Sequence, residues 1–384
     1  MKFTVVFRRF LQFDWVLFSA VLLLSGMSIL VLYGFSAEGK PEYFLRQSIF
    51  VGIGFLVSLF LASLDYRHIG RHSTLLYFSM LGILLSVLLF GKTIRGTEGW
   101  IDLGFTQVQP VEFAKVVLVL FLASFIAKKT SELGEWTRLI ASLILTGMLV
   151  FLVMRQPDLG SSIVLLGVWG MMLLISGIRL KHIVVLSILG SLLVSGSWFF
   201  LADYQRARIE SFMHPELDPK GSGYNVLQAM VAVGSGGVFG KGIGHGTQSQ
   251  SNFLPEKHTD FIFASINEEL GMAGAFLTLF LYGVIFYRLR TIGIQASDNF
   301  GYLITVGVYA IVLVQVSINI GMNVGLLPVT GIPLPFMSYG GSSVLSLFIG
   351  IGIVQNVYRL RRGEQYTVSQ NRSEGDYIPL DYHL

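Results

Sequence analysis

Residues 254–260 read Leu-Pro-Glu-Lys-His-Thr-Asp and bring two carboxylates and a histidine to the start of an apolar run. Asp260 directly precedes three large apolar residues, where an ionised carboxylate is costly without a purpose. Such a carboxylate can act as a general base that takes a proton from an attacking hydroxyl group. Glu268 and Glu269 follow in the same run. Because a helix N-terminus also attracts carboxylates, compensation of the helix dipole is the alternative interpretation of this cluster.

A second charged pair, Glu112 and Lys115, lies in an apolar run that begins at Pro110. Proline suits the first turn of a helix, and a spacing of three residues places both charges on one helix face. Paired ions inside a membrane span usually face the protein interior or a wet cavity. The pair therefore predicts either substrate binding or an ion pair that fixes helix packing.

The segment 234–248 contains seven glycines around Lys241. A P-loop needs Gly-Lys-Ser/Thr after an earlier glycine, but Gly242 follows Lys241 here, so nucleotide binding is not expected. Backbone amides in such a run can cradle a diphosphate. A flexible or tightly turned structural loop is the alternative.

Asp158 stands in the short motif Gln-Pro-Asp-Leu-Gly at 156–160, where it is a candidate for substrate binding or a cap of the next helix. The chain has no cysteine, and its histidines are spread without the spacing of a metal site. We therefore predict no resident metal site. A divalent cation at a substrate diphosphate is left open.

The composition indicates the elements that must position these residues. Of the 384 residues, 53% are hydrophobic and only 13% are charged, about half the share usual for a soluble domain. Without cysteine, disulfides and thiolate chemistry are excluded. The net charge of +4 is no argument for nucleic-acid binding. The chain is predicted to be an all-α polytopic membrane protein, because a spanning segment must bond its own backbone groups.

Apolar runs long enough to span a membrane, at roughly 20 residues each, indicate about ten transmembrane helices. They lie near 15–35, 46–64, 74–91, 111–127, 139–154, 160–178, 183–201, 266–287, 301–322 and 341–358. With a cytoplasmic N-terminus, the inner segments hold 15 Lys and Arg residues and the short outer loops hold 5. The positive-inside rule then places both termini in the cytoplasm.

This pattern predicts a single membrane domain over residues 1–363, followed by a flexible cytoplasmic tail at 364–384. A large extracellular loop at 202–265 joins the seventh and eighth spans and carries the Asp260 motif. Within that loop, the moderately apolar stretch from Tyr224 predicts a re-entrant or interfacial helix.

Several of these motifs resemble the SEDS family of bacterial shape, elongation, division and sporulation proteins. They occur in the family's order over nearly the whole chain, at 99–101, 109–115, 156–160, 254–263, 268–271 and 334–343. Gln156 and the segments 246–250 and 329–335 are most similar to the elongation branch of the family.

The resemblance implies a peptidoglycan glycosyltransferase in the bacterial inner membrane. Its substrate would be lipid II, and undecaprenyl diphosphate would be released as glycan strands grow during elongation and rod-shape maintenance. The expected partners are a class B penicillin-binding protein with transpeptidase activity and other membrane proteins of the elongation machinery.

Carried over to this chain, the family's essential carboxylate is Asp260, which we assign as catalytic. The family's loop tryptophan is Trp100, and its membrane glutamate and lysine are Glu112 and Lys115. The residues assigned to substrate binding are these three together with Asp158, Lys241, Glu256 and His258. For the diphosphate, Lys115, Lys241, Arg206 and Arg208 are candidate cations.

Two other functions are consistent with many membrane spans. A lipid II transporter would suit the buried ion pair and the Pro/Gly-interrupted segments, but inverted repeats are not visible in the sequence. A non-catalytic scaffold of the elongation machinery would not depend on any single polar residue.

Overall fold

The computed structural model describes residues 12–35, 42–94, 97–104, 106–128, 135–177, 222–250 and 253–375, with scattered positions between 181 and 214. These segments are mostly helical. The helices are α1 (Trp15–Gly34), α2 (Glu42–Ser63), α3 (Tyr66–Arg71), α4 (Ser73–Phe90), α5 (Pro110–Ala127), α6 (Glu135–Arg155), α7 (Leu159–Ile175), α8 (Ser222–Ser235), α9 (Thr247–Gln250), α10 (Ile262–Ile294), α11 (Asn299–Asn323) and α12 (Gly341–Gly375).

Eight of the described helices are long and apolar enough to cross a membrane, and α7 is a shorter apolar helix of 17 residues. The predicted all-α polytopic fold is confirmed. Nine of the ten predicted spans coincide with described helices, whereas the seventh, 183–201, lies largely outside the described residues. The exact number of spans and their orientation stay predictions.

Helices α5, α11 and α12 form the centre of the bundle. In an apolar 18-residue stretch of each of these helices, between 67% and 78% is buried inside the protein, against 22% for α2 and 28% for α4. Because protein covers most of the surface of these central helices, most polar side chains on them are expected to bond to protein groups or to face a cavity.

Local signals set several helix ends. Asp14, Asp158 and Asp298 cap α1, α7 and α11, each accepting a hydrogen bond from a backbone N–H of the first turn. Pro110 stands in the first turn of α5, as the sequence predicts. Gly271 interrupts α10 with φ of 69°, a conformation that favours glycine.

Three short antiparallel strands connect α4 to α5: β1 (Lys92–Ile94), β2 (Thr97–Asp102) and β3 (Gln107–Val108). Lys92 pairs with Trp100 across β1 and β2, and Ile101 pairs with Val108 across β2 and β3. This small sheet holds Trp100 over the start of α5.

The stretch predicted as an interfacial helix forms α8, which packs against α10. Residues 202–221 of the large loop lie mostly outside the described part of the chain. At the other end, α12 continues to Gly375, so the segment predicted as a flexible tail begins as an extension of this helix.

Candidate active site

The loop that ends at Asp260 turns tightly before α10. The amides of Thr259, Asp260 and Phe261 all donate to the carbonyl of Glu256, at 3.1, 3.1 and 3.3 Å. Glu256 has a φ of 54°, in the left-handed region that non-glycine residues seldom adopt. Asp260 therefore precedes α10 and is not part of the helix, and its side chain lines a cavity.

A second loop, 324–340, packs against the first and fixes its backbone. The amide of Tyr339 donates to the carbonyl of His258 at 2.8 Å, and the hydroxyl of Ser338 donates to the carbonyl of Thr259 at 2.5 Å. The second loop is itself anchored to α2, because Gln47 donates to the carbonyl of Ser338 at 3.1 Å.

These two loops enclose a cavity of about 160 Å³ together with β2 and the first turns of α5, α7 and α12. Its described lining includes three carboxylates and no lysine or arginine. The lining residues are Thr97, Trp100, Gln109, Glu112, Pro157, Asp158, Leu159, Thr259, Asp260, Thr330, Gly331, Pro333, Tyr339, Gly340, Gly341, Ser342 and Ser343.

The structure therefore brings together four of the eight predicted site residues, which are separated by up to 160 positions in the chain. They are Trp100, Glu112, Asp158 and Asp260. The other four, Lys115, Lys241, Glu256 and His258, do not line this cavity.

Asp158 both caps a helix and lines the cavity, which are the two positions that the sequence suggested for it. One carboxylate oxygen accepts from the amide of Ser161 at 2.9 Å and caps α7. The other accepts from the side chain of Gln109 at 3.3 Å, beside the cavity. The cap orients Asp158, so its contribution to substrate binding would come from a rigid carboxylate.

Trp100 contributes an aromatic surface to the same cavity. Its indole N–H donates to the hydroxyl of Thr97 at 3.1 Å, which leaves the ring as its remaining contact surface. Behind β2, the buried side chain of Gln156 donates to the carbonyl of Leu84 at 3.0 Å. Gln156 thus supports the wall of the cavity without lining it.

Glu112 and Lys115 form the predicted ion pair, with 2.7 Å between Lys115 Nζ and Glu112 Oε1. Both side chains are almost completely buried. Only Glu112 reaches the cavity, and Lys115 lies behind it. The lysine therefore acts on the cavity through Glu112, by holding that carboxylate in place.

Lys241 lies in a different environment. Its Nζ donates to Glu268 at 2.8 Å, and the fully buried carboxylate of Glu268 also accepts from the amides of Gln248 and Ser249 and from the hydroxyl of Thr247. The expectation that Glu268 mainly compensates a helix dipole is therefore wrong. Glu268 organises the glycine-rich loop through buried hydrogen bonds.

The backbone of the glycine-rich loop is likewise occupied. The amides of Lys241 and Gly242 donate to the carbonyls of Glu268 and Glu269 at 2.9 and 3.0 Å, and the amide of Gly240 donates within the loop. These amides are not available to cradle a diphosphate. The tightly turned loop is the interpretation that the structure supports.

Glu256 and His258 lie on the far side of the turn that carries Asp260. His258 Nε2 is 3.8 Å from Glu256 Oε2, and the imidazole stacks on the ring of Tyr43 with 4.4 Å between centroids. The hydroxyl of Thr259 donates to Glu256 at 3.1 Å. These two residues support the turn, one step removed from the cavity.

An adjoining cavity of about 290 Å³ supplies a cation that our assignment of diphosphate partners missed. It shares Trp100 and Tyr339 with the first cavity and is also lined by Arg46 and Asp102. Arg46 appeared in the sequence only as a charge in an outer loop, with no motif around it. Its proximity to Trp100 depends on the packing of α2 against the second loop.

Two groups of this adjoining cavity have perturbed acidities. The hydrogen bond from Lys92 and the amide of Gly104 lower the pKa of Asp102, which therefore stays ionised. Burial raises the pKa of Tyr339, so its phenol stays protonated near neutral pH. Asp102 already pairs with Lys92 at 2.9 Å, whereas the pair of Arg46 with Glu42 is longer, at 3.7 Å, and half-exposed.

Within the described ranges, no group of three or more histidine, aspartate or glutamate side chains lies close enough to hold a metal ion. The three carboxylates of the first cavity share one space without converging on one point.

The sequence of this chain matches a known protein family and individual proteins of bacteria. The family model FTSW_RODA_SPOVE, described as "Cell cycle protein", matches residues 9–363. The chain is 37% identical to "Stage V sporulation protein E" of Bacillus subtilis (strain 168), over 91% of this chain and 98% of that protein. It is 39% identical to "Peptidoglycan glycosyltransferase MrdB" of Escherichia coli (strain K12), over 87% and 90% of the two chains.

The fold also matches a chain of a solved structure described as "Structural coordination of polymerization and crosslinking by a peptidoglycan synthase complex". The TM-score is 0.79 at 31% identity, covering 91% of this chain and 98% of that one.

Proposed function

The chain belongs to the FtsW, RodA and SpoVE family of cell cycle proteins, and on that premise we propose that it is a peptidoglycan glycosyltransferase of cell elongation. It polymerises lipid II into glycan strands and releases undecaprenyl diphosphate. The family membership predicted from the motifs is thereby confirmed. Its similarity to MrdB, together with the elongation-type segments at 246–250 and 329–335, supports the elongation role.

The observation that carries the proposed mechanism is the position of Asp260. Its carboxylate lines a cavity together with Trp100, Asp158 and Glu112, and no lysine or arginine is among the described lining residues. A carboxylate at a cavity wall, held on a rigid turn, meets the geometric requirement for a general base.

The reaction joins two sugars in one displacement. A hydroxyl oxygen of the acceptor sugar attacks the anomeric carbon of the donor, and the bond from that carbon to the diphosphate oxygen breaks. Asp260 accepts the hydroxyl proton, and the electron pair of the broken bond leaves with the diphosphate. One inverting displacement needs one base, so a second catalytic carboxylate is not required.

The leaving diphosphate gains negative charge, which a fixed cation stabilises. Lys115 and Lys241 are engaged by Glu112 and Glu268, respectively. Arg46 lines the adjoining cavity, where it hydrogen-bonds the phenol of Tyr339, and its half-exposed pair with Glu42 contributes little energy. We assign Arg46 as the diphosphate partner. The donor sugar would then extend past Trp100 toward Asp260.

The cavity also suggests roles for the remaining lining groups. Trp100 offers a ring face on which a sugar can pack, and Asp158 offers a rigid hydrogen-bond acceptor. Glu112 contributes a carboxylate whose charge is balanced by Lys115. A divalent cation bound with the diphosphate would add positive charge from the substrate side, and activity after chelation tests for it.

The chain is a multi-pass membrane protein, with eight described helices that can span. We place it in the bacterial inner membrane, with both termini in the cytoplasm and Asp260 on the outer side. The similarity to a chain of a peptidoglycan synthase complex supports a class B penicillin-binding protein as its crosslinking partner.

The experiment that tests this function uses the purified full chain in detergent with lipid II, with and without the cognate class B penicillin-binding protein. We expect long glycan strands, and a higher rate with the partner. If no strands form under either condition while lipid II still moves between leaflets of vesicles, the chain is a transporter and not a polymerase.

A further inference from the structure

The backbone of Asp260 is held by two side chains of α11. The amide nitrogens of Asn319 and Asn323 both donate to the carbonyl oxygen of Asp260, at 2.9 and 3.0 Å. Both asparagines are fully buried. A carbonyl oxygen has two lone pairs, so these two donors use its full capacity.

Asn319 connects this carbonyl to the opposite loop. Its amide nitrogen also donates to the carbonyl of Ile332 at 2.8 Å. One side-chain nitrogen therefore bridges the backbone at Asp260 and the backbone at Ile332. Because both loops contribute to the wall of the cavity, Asn319 sets the spacing between two sides of the site.

Asn323 connects the same carbonyl to the start of α10. Its side-chain oxygen accepts from the amide of Ala264 at 3.0 Å. That amide belongs to the first turn of α10, where backbone N–H groups lack a partner within the helix. Asn323 therefore satisfies the helix end and the Asp260 carbonyl at once.

The wall bridged by Asn319 reaches the carboxylate itself. Gly331, adjacent to Ile332, has a φ of 75°, and a Cβ built on it would lie 3.6 Å from Asp260 Oδ2. The Asp260 carboxylate thus lies against Gly331, while its carbonyl is tied to the next residue of the same segment through Asn319. The position of the carboxylate in the cavity depends on this bridge.

We propose that Asn319 is a positioning residue for the Asp260 carboxylate, with Asn323 supporting it from one helical turn away. The inference rests on the proposed function, in which Asp260 is the base. Neither asparagine lines the cavity, so neither is expected to touch the substrate. A displacement of about 1 Å at a catalytic group can cost on the order of 100-fold in rate.

The test compares Asn319→Leu, which keeps the size of the side chain but removes the bridge, with Gln315→Leu. Gln315 lies one turn earlier on α11, is fully buried, and its amide atoms find no hydrogen-bond partner among the described residues. We expect Asn319→Leu to lower kcat for lipid II polymerisation roughly 10- to 100-fold with little change in KM. Gln315→Leu should leave both constants near wild type.

A double-mutant cycle separates positioning from general damage. If Asn319 acts through the carboxylate, Asn319→Leu should lower the residual rate of an Asp260→Asn protein by no more than about twofold. An equal loss in both backgrounds, or a normal kcat for Asn319→Leu, would overturn the proposal. Should Asn319→Leu fail to fold, Asn319→Ser keeps one donor on a side chain too short to bridge the carbonyls of Asp260 and Ile332. A wild-type kcat in that folded protein also overturns the proposal.

Failure of this inference differs from failure of the proposed function. If Asp260→Asn polymerises at the wild-type rate, the base assignment is lost. If Asp260→Asn is inactive while Asn319→Leu has normal kcat, only the positioning role is lost.

Discussion

Asp260 and Glu268 are two carboxylates of one segment, eight residues apart, with opposite environments. Asp260 lines a cavity beside Trp100 and Asp158. Glu268 is fully buried and accepts hydrogen bonds from Lys241, two backbone amides and one hydroxyl. The first faces a space that a bound molecule could enter. The carboxylate of the second is fully occupied by protein hydrogen-bond donors.

The difference comes from what packs against each residue. The glycine-rich loop lies directly on α10, and a Cβ at Gly240 would be 2.2 Å from the carbonyl of Glu269. Only glycine permits that approach. Opposite Asp260 stands the loop 324–340, which keeps a space of about 160 Å³ open. Close backbone packing surrounds Glu268, whereas Asp260 lies beside an open space.

The largest effect is expected from Asp260→Asn, which keeps size and hydrogen bonding but cannot accept the sugar proton. Polymerisation of lipid II should fall roughly 100-fold or more. Glu98→Gln, the same chemical change at an exposed carboxylate of β2, is the control and should leave the rate unchanged. Strand length is measured on gels with purified proteins that melt at the same temperature. Near-normal polymer from Asp260→Asn would remove the contrast with Glu268.

Arg46→Gln should give the next largest loss of rate. Hydrogen bonds to charged groups are worth about 1.5–3 kcal/mol, which predicts a loss of tenfold or more if Arg46 binds the diphosphate. Arg46→Lys should recover part of it. Lys92→Gln, which removes a cation already paired with Asp102, is the matched control. If both glutamine variants behave alike, Arg46 has no special relation to the substrate.

Glu268→Gln should change turnover per folded molecule far less, by no more than about threefold. Its main effect should be on stability, because a glutamine cannot pair with Lys241 or accept from the amides of Gln248 and Ser249 on both sides. Thermal unfolding in detergent measures this. Lys241→Met should be milder, since Glu268 then keeps its other hydrogen-bond donors. A stable Glu268→Gln protein without activity would place Glu268 in catalysis and contradict the comparison.

The smallest perturbation tests where both carboxylates lie relative to the membrane. The chain contains no cysteine, so single-cysteine variants label without background. Phe239 is 84% exposed on the glycine-rich loop, and Phe239→Cys should react with an impermeant maleimide in intact spheroplasts. Arg71→Cys should react only after permeabilisation. The reverse pattern would put the candidate site on the wrong side of the membrane.

The pattern of apolar runs predicted nine helices of the described bundle to within a few residues at most of their ends. Such runs can be recognised in a sequence because every spanning helix must be apolar over its length. The ion pair of Glu112 and Lys115 could also be predicted, since residues three apart on a helix share a face. Asp260 and Asp158 stood out within their motifs, and the family resemblance added Trp100.

Contacts between segments that are distant in the sequence could not be predicted in the same way. Arg46 approaches Trp100 only because α2 packs against the loop before α12, and no local pattern marks that contact. The role of Glu268 depends on a loop 20 to 27 residues earlier in the chain folding back onto α10. Charge and spacing alone suggested a helix-dipole role, because they contain no information on burial.

The sequence by itself determined the membrane class, nine of the spanning helices and the family, and it suggested Asp260 as the candidate base. Those properties follow from composition, local periodicity and contiguous motifs. The tertiary structure decided which of the polar residues share a cavity, which cations are already paired, and what holds Asp260 in place. Those properties depend on contacts between residues far apart in the sequence, such as the hydrogen bond from Asn319 to the carbonyl of Asp260, 59 positions away. Such contacts form only because the packing of the helices and loops brings the two residues together.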